Sequence, residues 1–476
     1  MTLSNENMSC LICHLFCLYP IMIRHMKGQI VTANCIDLSF EGKGVAKFDQ
    51  GIVFVDGLFP GEEAEIKITY IRAGTNFGKI KKLLSTSKDR IQPRCPVCTV
   101  CGGCQFQQLS YSAQLSFKKN KVKNAFLRTA KLDVEVRDVI GMDNPYFYRN
   151  KIQMPVGKDR SGKIITGFYK ANTHDIVPIE KCYIEDERST PILATIRQLM
   201  KEMRVEPYDE DKRTGVIRHI LIRTSYRKKQ IMVVLVTNVN SFPGQRNFVN
   251  ALTSKHPEIT TVVQNINKRD TNVILGNYEN ILFGKGFIED TLMGLNYQIS
   301  SKSFYQINPV QTEKLYSAAI EAADIDKDDI VFDAYTGIGT IALLAAKHAK
   351  HVIGVEIVYQ AIRDAIRNAK HNGVANVDFH AADVADYLDQ MALENQKIDV
   401  LFMDPPRKGA DERFLESVLK IKPKKIIYIS CEPETLARDI RILAGHYKIV
   451  SVQPVDMFPQ THHVETVVSL MLKIAF

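Results

Sequence analysis

The chain contains no tryptophan, although it has 476 residues, 18 tyrosines and 22 phenylalanines. Any stacking of an aromatic side chain on a ligand must therefore use Phe, Tyr or His. The apolar stretch from Cys10 to Ile23 is too short to span a bilayer, which takes about 20 apolar residues. No basic segment precedes it and no small-residue cleavage site follows it, so a signal peptide is not expected. These absences predict a cytoplasmic protein without a membrane partner.

Residues 1–26 are unlike the rest of the chain, because they combine this apolar stretch with three closely spaced thiols. Cys10, Cys13 and Cys17, together with His14, have a spacing that could bind a metal ion. We interpret the segment as an unstructured extension before the folded chain. No internal repeat or low-complexity tract follows it.

The length allows about three domains. Apolar residues make up 45% of the chain and charged residues 24%, which is typical of a globular protein. The net charge of +9 favours an anionic partner, and nucleic acid is one class of such partners.

Residues 27–85 read as short strands separated by glycine turns, for example Gly51–Val55 and Glu63–Ile68. Evenly spaced strands of this length predict a small OB-like β-barrel. It ends in Lys79, Lys81 and Lys82, which could grip a nucleic acid, although a solvated charged face would look the same.

Residues 86–300 predict an α+β central domain that holds a cluster of cysteines. Two basic stretches, Lys118–Lys123 and Arg213–Lys229, are candidates for contacts with phosphates. Residues 301–476 change to a regular alternation of strands and helices, which predicts a doubly wound, Rossmann-like α/β domain.

A nucleotide-type βαβ start opens this last domain. The apolar strand Asp329–Asp333 runs into a turn with Gly337 and Gly339, and an apolar helix follows. Glycines suit a turn that a ligand must approach closely. The third glycine of a dinucleotide fingerprint is missing, so an NAD enzyme is the weaker alternative.

Polar residues lie at the ends of four successive predicted strands: Tyr335, Glu356, Asp383 and Asp404. Ligands of such sheets bind at the carboxyl ends of the strands. A carboxylate at Glu356 suits ribose hydroxyls, and one at Asp383 suits an adenine edge. Each residue alone could be a surface turn, but the series favours a nucleotide-like cofactor.

A thiol and a carboxylate follow in the same half. Cys431 ends the apolar run Ile426–Ser430, and Glu465 enters a later β-rich run. A thiol for attack and a carboxylate for proton removal suggest covalent catalysis. Taken alone, Cys431 could equally be a buried structural thiol.

Four motifs in this order resemble the RNA uracil-5 methyltransferase family: Ser303–Asn308, Asp404–Gly409, Ser430–Pro433 and His463–Val467. The resemblance extends over residues 27–476. It implies an N-terminal TRAM barrel and a class I methyltransferase domain that uses S-adenosylmethionine. It further implies Cys431 as nucleophile and Glu465 as the base for the C5 proton. The residues that it places at the cofactor and active site are Gln306, Tyr335, Thr340, Glu356, Asp383 and Asp404.

Uracil C5 is too poor a nucleophile to accept a methyl group directly. Addition of a thiolate to C6 makes C5 nucleophilic, and a base must later remove the C5 proton. Cytosine-5 methylation is a chemical neighbour, but those enzymes generally carry a cysteine after the proline of the fourth-strand motif. Pro406 and Arg407 stand there instead, which favours uracil.

The cysteine cluster has four thiols between Cys95 and Cys104, with Cys182 further on. Their spacing leaves zinc and an iron–sulfur cluster equally open. The resembling branch that acts on 23S ribosomal RNA implies a [4Fe–4S] cluster on Cys95, Cys101, Cys104 and Cys182. Cys98 departs from that pattern, so its own role stays open. The usual loop of a radical enzyme is absent.

We therefore expect a monomeric, three-part RNA methyltransferase, without a protein partner, that forms 5-methyluridine in 23S ribosomal RNA. The alternatives are a transfer RNA uracil-5 methyltransferase, a non-catalytic iron–sulfur or zinc RNA-binding module, and an electron-transfer protein.

Overall fold

The computed structural model describes residues 27–170, 173–270 and 273–473. They divide into two compact units, one ending at Arg90 and one beginning at Ile91. The extension at 1–26 and its three thiols lie outside the described residues. Within the described part of the chain, no helix is long and apolar enough to cross a membrane.

The first unit is a closed five-stranded barrel with strand order β1-β2-β3-β5-β4. Side chains alternate between the two faces, as in β3, where Val53 and Val55 point into the barrel and Phe54 points outward. The predicted barrel is therefore confirmed. Its strands are β1 (Ile30–Leu38), β2 (Gly44–Phe48), β3 (Gly51–Val55), β4 (Glu63–Arg72) and β5 (Thr75–Leu83).

The second unit begins with the cysteine loop and helix α1 (Tyr111–Ala125), which continues into a π-helical turn (Phe126–Ala130). A seven-stranded sheet follows, with order β12-β11-β10-β9-β6-β7-β8. Its elements are β6 (Lys151–Lys158), β7 (Ile164–Tyr169), β8 (Ile176–Pro178), α2 (Ser189–Glu202), β9 (Ile217–Thr224), β10 (Ile231–Thr237), α3 (Gln245–Lys255), β11 (Ile259–Ile266) and β12 (Tyr278–Phe283).

The hairpin of β13 (Phe287–Leu292) and β14 (Leu295–Ser300) precedes the predicted boundary at residue 300. Its buried Tyr297 and Ile299 nevertheless belong to the same apolar core as Val331 of the following sheet. The division of this unit into two domains at residue 300 stays a prediction.

The last sheet has the order β17-β16-β15-β18-β19-β21-β20. Strands β15 to β19 run parallel, and β21 is antiparallel to both β19 and β20. This confirms the doubly wound prediction. Its elements are α4 (Pro309–Ala323), β15 (Ile330–Ala334), α5 (Thr340–Ala345), β16 (His351–Glu356), α6 (Tyr359–His371), β17 (Val377–Ala381), α7 (Val384–Leu393), β18 (Val400–Met403), α8 (Glu412–Ile421), β19 (Lys425–Ser430), α9 (Pro433–Leu443), β20 (Tyr447–Val455) and β21 (Glu465–Leu472).

Candidate active site

Cys431 lies where β19 turns into α9. The Ser430 hydroxyl fixes this turn, since it accepts a hydrogen bond from the Glu432 amide at 3.1 Å and donates one to the Glu432 carbonyl at 3.1 Å. Pro433 lies in the first turn of α9, where a backbone N–H would have no partner within the helix, so the proline costs no helical hydrogen bond. The thiol is half-buried. The backbone therefore holds it at the sheet edge without closing it off from solvent.

Strand β21 brings Glu465 to the same edge. Ser430 of β19 is paired with Thr466 of β21 in antiparallel register. Cys431 is the next residue after Ser430, and Glu465 is the one before Thr466, so the two residues are neighbours at the end of this strand pair. Glu465 also pairs with Val455 of β20 and is only 4% exposed. The two residues singled out in the sequence therefore meet in the fold.

Burial and the charges around Cys431 favour its thiol form. Burial raises the pKa of Cys431 to about 12, the charges of Glu465 and Asp404 raise it too, and Arg407 opposes them. Burial also raises the pKa of Asp404 to about 7. The pKa of Glu465 lies well above its usual range because of burial and the Asp404 charge. Burial and the neighbouring carboxylates therefore favour the thiol form of Cys431 in the free protein.

This arrangement predicts the pH dependence of Cys431 alkylation in the free protein. Only the thiolate reacts, and its fraction rises about tenfold per pH unit below the pKa. We expect the rate constant with iodoacetamide, measured by peptide mass spectrometry, to rise without a plateau from about pH 7 to about pH 10. Above the raised pKa of Glu465, where its carboxyl group is charged, Glu465→Gln should increase the alkylation rate, because a negative charge beside the thiol is lost.

The control is Glu434→Gln, which removes an exposed carboxylate from the first turn of α9. It should leave the alkylation profile of Cys431 unchanged. A plateau near pH 8.5 in the wild-type protein, the value of an ordinary free thiol, would contradict the assigned surroundings.

Helix α9 anchors the loop that carries Arg407. The buried Asp439 carboxylate accepts a hydrogen bond from the Ala410 amide at 2.8 Å, and Arg438 donates to the Ala410 carbonyl at 3.1 Å. Gly409 has φ +80°, and a Cβ there would lie 2.5 Å from the Arg438 guanidinium. A glycine is therefore required for the loop to close onto the helix.

Helix α1 anchors the segment before Glu465. The Lys118 ammonium and the Asp456 carboxylate form a fully buried ion pair. Tyr111 donates a second hydrogen bond to Asp456 at 2.8 Å. The amide side chain of Gln114 donates to that of Gln460 at 3.1 Å and accepts from the Gln460 backbone at 3.0 Å. These contacts fix the connection between β20 and β21, and with it the start of the strand that carries Glu465.

Lys118 therefore has a structural role that its basic neighbour Lys119 does not share. Removing one partner of a buried ion pair costs about 3–5 kcal/mol, whereas an exposed pair contributes about 0–1 kcal/mol. We expect Lys118→Met to lower the free energy of unfolding by the larger amount. Lys119→Met, which removes only an exposed pair with Asp138, should cost at most about 1 kcal/mol. Denaturant titrations of the two variants measure this difference, and equal losses would contradict the assignment.

The loop after β15 has an unusual backbone. Tyr335 has φ +62°, a left-handed conformation that is strained for a residue with a side chain and is typical of functional sites. Gly337 also has positive φ, and a Cβ there would meet no atom within 4 Å. One side of the loop is thus open to a ligand that approaches the backbone. Thr340 follows as the first residue of α5.

Asp333 holds this loop, and the sequence analysis assigned it no role. One oxygen of the buried carboxylate accepts hydrogen bonds from the Thr336 hydroxyl at 2.5 Å and the Ala342 amide at 3.0 Å. The other oxygen has no partner within the described residues. Burial raises the pKa of Asp333 to about 7. The sequence did contain a signal for this role, because Asp333 is an acidic residue in an apolar strand directly before a glycine-rich turn.

Glu356 and Asp383 lie at the ends of the next two strands, as predicted. The Glu356 carboxylate accepts hydrogen bonds from the Gly337 amide at 3.3 Å and the Val358 amide at 2.9 Å. The Asp383 carboxylate caps α7 and accepts from the Ala385 amide at 2.9 Å. The pKa of Tyr335 is raised by burial and then by the Asp383 charge, so the two residues are neighbours.

The segment Ser303–Asn308 is held by the neighbouring sheet. Asn150 donates its side-chain amide to the Gln306 carbonyl at 3.0 Å. Arg223 is buried and donates to the Ser303 carbonyl at 2.5 Å. Phe304 between them is 70% exposed, whereas Gln306 is buried. These contacts fix the backbone on both sides of the exposed ring.

The residues present fit a nucleoside-containing cofactor such as S-adenosylmethionine. The loop open at Gly337, the unpartnered oxygen of Asp333 and the carboxylate of Glu356 lie together at the carboxyl ends of β15 and β16. Backbone amides and carboxylates at this edge are suited to ribose hydroxyls and a charged amino-acid moiety. Asp404 lies at the carboxyl end of β18, which pairs with both β15 and β19. It therefore stands between the cofactor edge and Cys431.

The predicted cluster cysteines lie close to one another, but they do not form a recognisable metal site. No group of three or more Cys, His, Asp or Glu side chains in the described ranges is arranged to hold a metal ion. Burial raises the pKa of Cys104 to about 12, and the charges of Cys101 and Cys95 contribute to this shift. Burial raises the pKa of Cys182, and the Cys104 charge contributes. The Cys104 sulfur accepts a hydrogen bond from the Gln107 amide at 3.4 Å.

Parts of the two basic stretches cannot contact phosphates, which corrects the sequence-based expectation. Lys118 and Lys121 of α1 are buried, and so are Arg218 and Arg223 of β9. The exposed basic side chains of the second stretch are at its ends: Arg213, Arg227, Lys228 and Lys229.

Comparison with known proteins agrees with the architecture. Residues 110–473 match the family model described as tRNA (Uracil-5-)-methyltransferase, and residues 24–81 match the TRAM domain. An uncharacterized RNA methyltransferase of Oceanobacillus iheyensis is 44% identical over 94% of this chain and 98% of its own length. A second from Listeria innocua is 45% identical with the same coverage of both chains.

Among solved structures, the chain is similar to Pyrococcus abyssi tRNA (uracil-54, C5)-methyltransferase in complex with S-adenosyl-L-homocysteine. The TM-score is 0.75 with 26% identity, over 92% of this chain and all of the other. These matches exclude the NAD enzyme, the electron-transfer protein and the non-catalytic binding module as interpretations of the whole chain. The chain belongs to the tRNA (uracil-5-)-methyltransferase family and is an S-adenosylmethionine-dependent RNA methyltransferase.

Proposed function

We propose that the protein methylates C5 of a uridine in RNA through a covalent bond between Cys431 and uracil C6. The observation that carries this proposal is the pairing of β19 with β21, which sets the Cys431 thiol beside the Glu465 carboxylate at one sheet edge. A nucleophile and a base that face one reacting ring are what addition to C6 and removal of the C5 proton require.

Atoms and electrons balance in each step of the reaction. The Cys431 proton leaves to water, and the thiolate sulfur bonds to C6 while the C5–C6 π pair moves onto C5 and the C4 carbonyl. C5 then bonds the methyl group that S-adenosylmethionine, when bound, would supply. The bond from that methyl group to the sulfonium sulfur breaks with its electron pair left on sulfur, so the cofactor would depart as the neutral thioether S-adenosylhomocysteine. The Glu465 carboxylate takes the C5 proton, the C5–C6 double bond re-forms, and the bond from C6 to sulfur breaks. The raised pKa of Glu465 makes its carboxylate a stronger base for this proton.

Each remaining candidate receives a role from its position. Glu356 would accept the ribose hydroxyls, and Asp383 would face the adenine edge. Tyr335 and Thr340 would line the loop over the cofactor. Asp404 would lie between cofactor and uracil, because its charge raises the pKa of both Cys431 and Glu465. Gln306 would lie near it, because Asp404 and Gln306 both act on the pKa of Tyr316.

We propose 23S ribosomal RNA as the substrate, on the strength of the cysteine cluster, which the resembling 23S branch shares. Transfer RNA is the second candidate and is favoured by the likeness to the Pyrococcus abyssi enzyme. Unmodified 23S ribosomal RNA and transfer RNA are each incubated with the protein and methyl-labelled cofactor, and the nucleosides are analysed. We expect labelled 5-methyluridine in 23S ribosomal RNA. Label in transfer RNA alone would support the second candidate, and labelled 5-methylcytidine would contradict the uracil assignment.

We further propose that Cys95, Cys101, Cys104 and Cys182 ligate a [4Fe–4S] cluster, with zinc as the alternative. Support comes from the donor set. The charges of Cys95, Cys101 and Cys104 each raise the pKa of another thiol of the set, so a bound cation would relieve their repulsion. Burial raises the pKa of Cys98, and the charges of Cys95 and Cys101 add to the shift, whereas Cys104 and Cys182 are not among its causes. We therefore leave Cys98 out of the proposed ligand set.

Analysis of iron and sulfide in anaerobically purified protein tests this. We expect about four of each per chain, retention in Cys98→Ser and loss in Cys104→Ser. One zinc ion without sulfide would support the alternative, and loss of iron in Cys98→Ser would contradict the ligand set.

A further inference from the structure

Three aromatic side chains form a row on the outer face of the barrel. Phe54 of β3 is paired with Phe77 of β5, and Phe77 with Tyr70 of β4. The Tyr70 and Phe77 rings stack with their centroids 4.6 Å apart and their planes at 8°. Phe54 adjoins Phe77 on the other side at 5.7 Å. The row therefore ends in Tyr70, whose side chain is 47% exposed.

This row is not part of the barrel core. The inward positions beside it are taken by Val53 and Val55 of β3 and Ile68 of β4, which belong to the buried cluster that fills the barrel. Outward positions of a small barrel normally carry polar side chains. The exposed ring of Tyr70 therefore presents apolar area to solvent outside the barrel core.

Cations flank the row. Lys67 and Lys79 are paired across β4 and β5 and are both exposed. Arg72, two residues beyond Tyr70 on the same strand, is exposed as well. The rings are thus bordered by positive charge in both directions along β4. An aromatic face between cations suits a nucleic-acid strand, because the base can stack while the phosphates on either side are neutralised.

We propose that Tyr70 is a stacking platform for one unpaired base of the RNA substrate, with Lys67, Lys79 and Arg72 contacting the adjacent phosphates. The base would extend the existing stack of Phe77 and Tyr70 on its exposed face. This inference deepens the proposed function and rests on it, since it assumes that the ligand is the RNA to be methylated. It assigns to the barrel a base contact that is separate from the uridine at Cys431.

The absence of tryptophan allows a direct test. Tyr70→Trp of the full chain is a single-tryptophan protein whose fluorescence reports a base stacked on the platform. The matched control is Ile36→Trp, because Ile36 is similarly exposed at 43%. Along the antiparallel pair of β1 and β4, Ile30 pairs with Lys67 and Asn34 pairs with Glu63. Ile36 therefore lies at the end of this strand pair that is far from Tyr70. On titration with the RNA substrate, we expect saturable quenching at position 70 and little at position 36.

Binding and turnover of side-chain variants complete the test. Loss of one base stack is worth about 1–3 kcal/mol, or about 5- to 150-fold in affinity. We expect Tyr70→Leu to weaken RNA binding and raise KM within that range with kcat unchanged, whereas Tyr70→Phe should behave as wild type. Because the leucine keeps apolar area but has no π face, the comparison isolates stacking from packing.

The proposal is overturned if Tyr70→Leu binds RNA as tightly as wild type and RNA does not quench the fluorescence of Tyr70→Trp. It is also overturned if that fluorescence responds to a protein partner and not to RNA. Its failure is distinguishable from failure of the proposed reaction. Quenching of Tyr70→Trp by RNA that receives no 5-methyluridine would contradict the reaction only, and normal methylation without quenching would contradict the platform only.

Discussion

The Cys431→Ala variant is expected to lose methyl transfer to RNA by at least about 10⁴-fold. Loss of a covalent nucleophile has effects of this size, because the remaining groups cannot replace the bond that it forms. Without the C6–sulfur bond, uracil C5 stays too weak a nucleophile to accept the methyl group. Labelled methyl incorporation in single-turnover conditions measures the loss.

The same variant should keep the fold and the cofactor site. Cys431 lies beyond the last paired residue of β19, and the turn is held by Ser430 and not by the thiol. Calorimetric affinity for S-adenosylmethionine should therefore match that of the wild type. A conservative control is Cys98→Ala, which should retain methylation. Substantial turnover by Cys431→Ala would contradict covalent catalysis.

The Glu465→Gln variant is expected to trap the methylated intermediate. A positioned base contributes about 10²–10⁴-fold to a proton transfer. The amide can accept no proton from C5, whereas Cys431 can still add to C6. We expect a burst of one methyl group per chain, followed by slow release, and a protein–RNA adduct that survives denaturing electrophoresis.

The effect should depend on the position of the carboxylate and not on charge alone. Glu434→Gln removes a carboxylate from the neighbouring turn of α9 and should turn over without accumulating the adduct. A Glu465→Gln protein with normal turnover would show that another group removes the C5 proton. An inactive variant without adduct would show that Glu465 is needed before methyl transfer.

Much of the fold follows from local patterns. The barrel and the doubly wound sheet were predictable because strand alternation and the strand–turn–helix pattern around Gly337 depend on short segments. The polar residues at the strand ends were predictable for the same reason. Parallel strands bring their carboxyl ends to one edge, so Glu356 and Asp383 had to lie there once the strands were recognised.

The remaining features depend on partners that are distant in sequence. Nothing near Lys118 indicates that Asp456 will neutralise it, so a basic helix looked like a phosphate contact. Arg223 similarly reads as a surface charge until the Ser303 carbonyl is seen to accept its hydrogen bond. The register of β19 with β21 is also a tertiary property, and a slip of one residue would have turned Glu465 to the other face.

The link between Lys118 and Asp456 has a consequence for how the chain matures during its synthesis. The two residues are 338 positions apart, and ribosomes add about 5–20 residues per second, so Lys118 leaves the ribosome roughly 17–70 seconds before its partner. During that interval the Lys118 ammonium group has no Asp456 carboxylate with which to pair. The nucleophile and the base arrive with the final strands. A nascent chain therefore cannot complete its active centre before Asp456 and Glu465 have been synthesised.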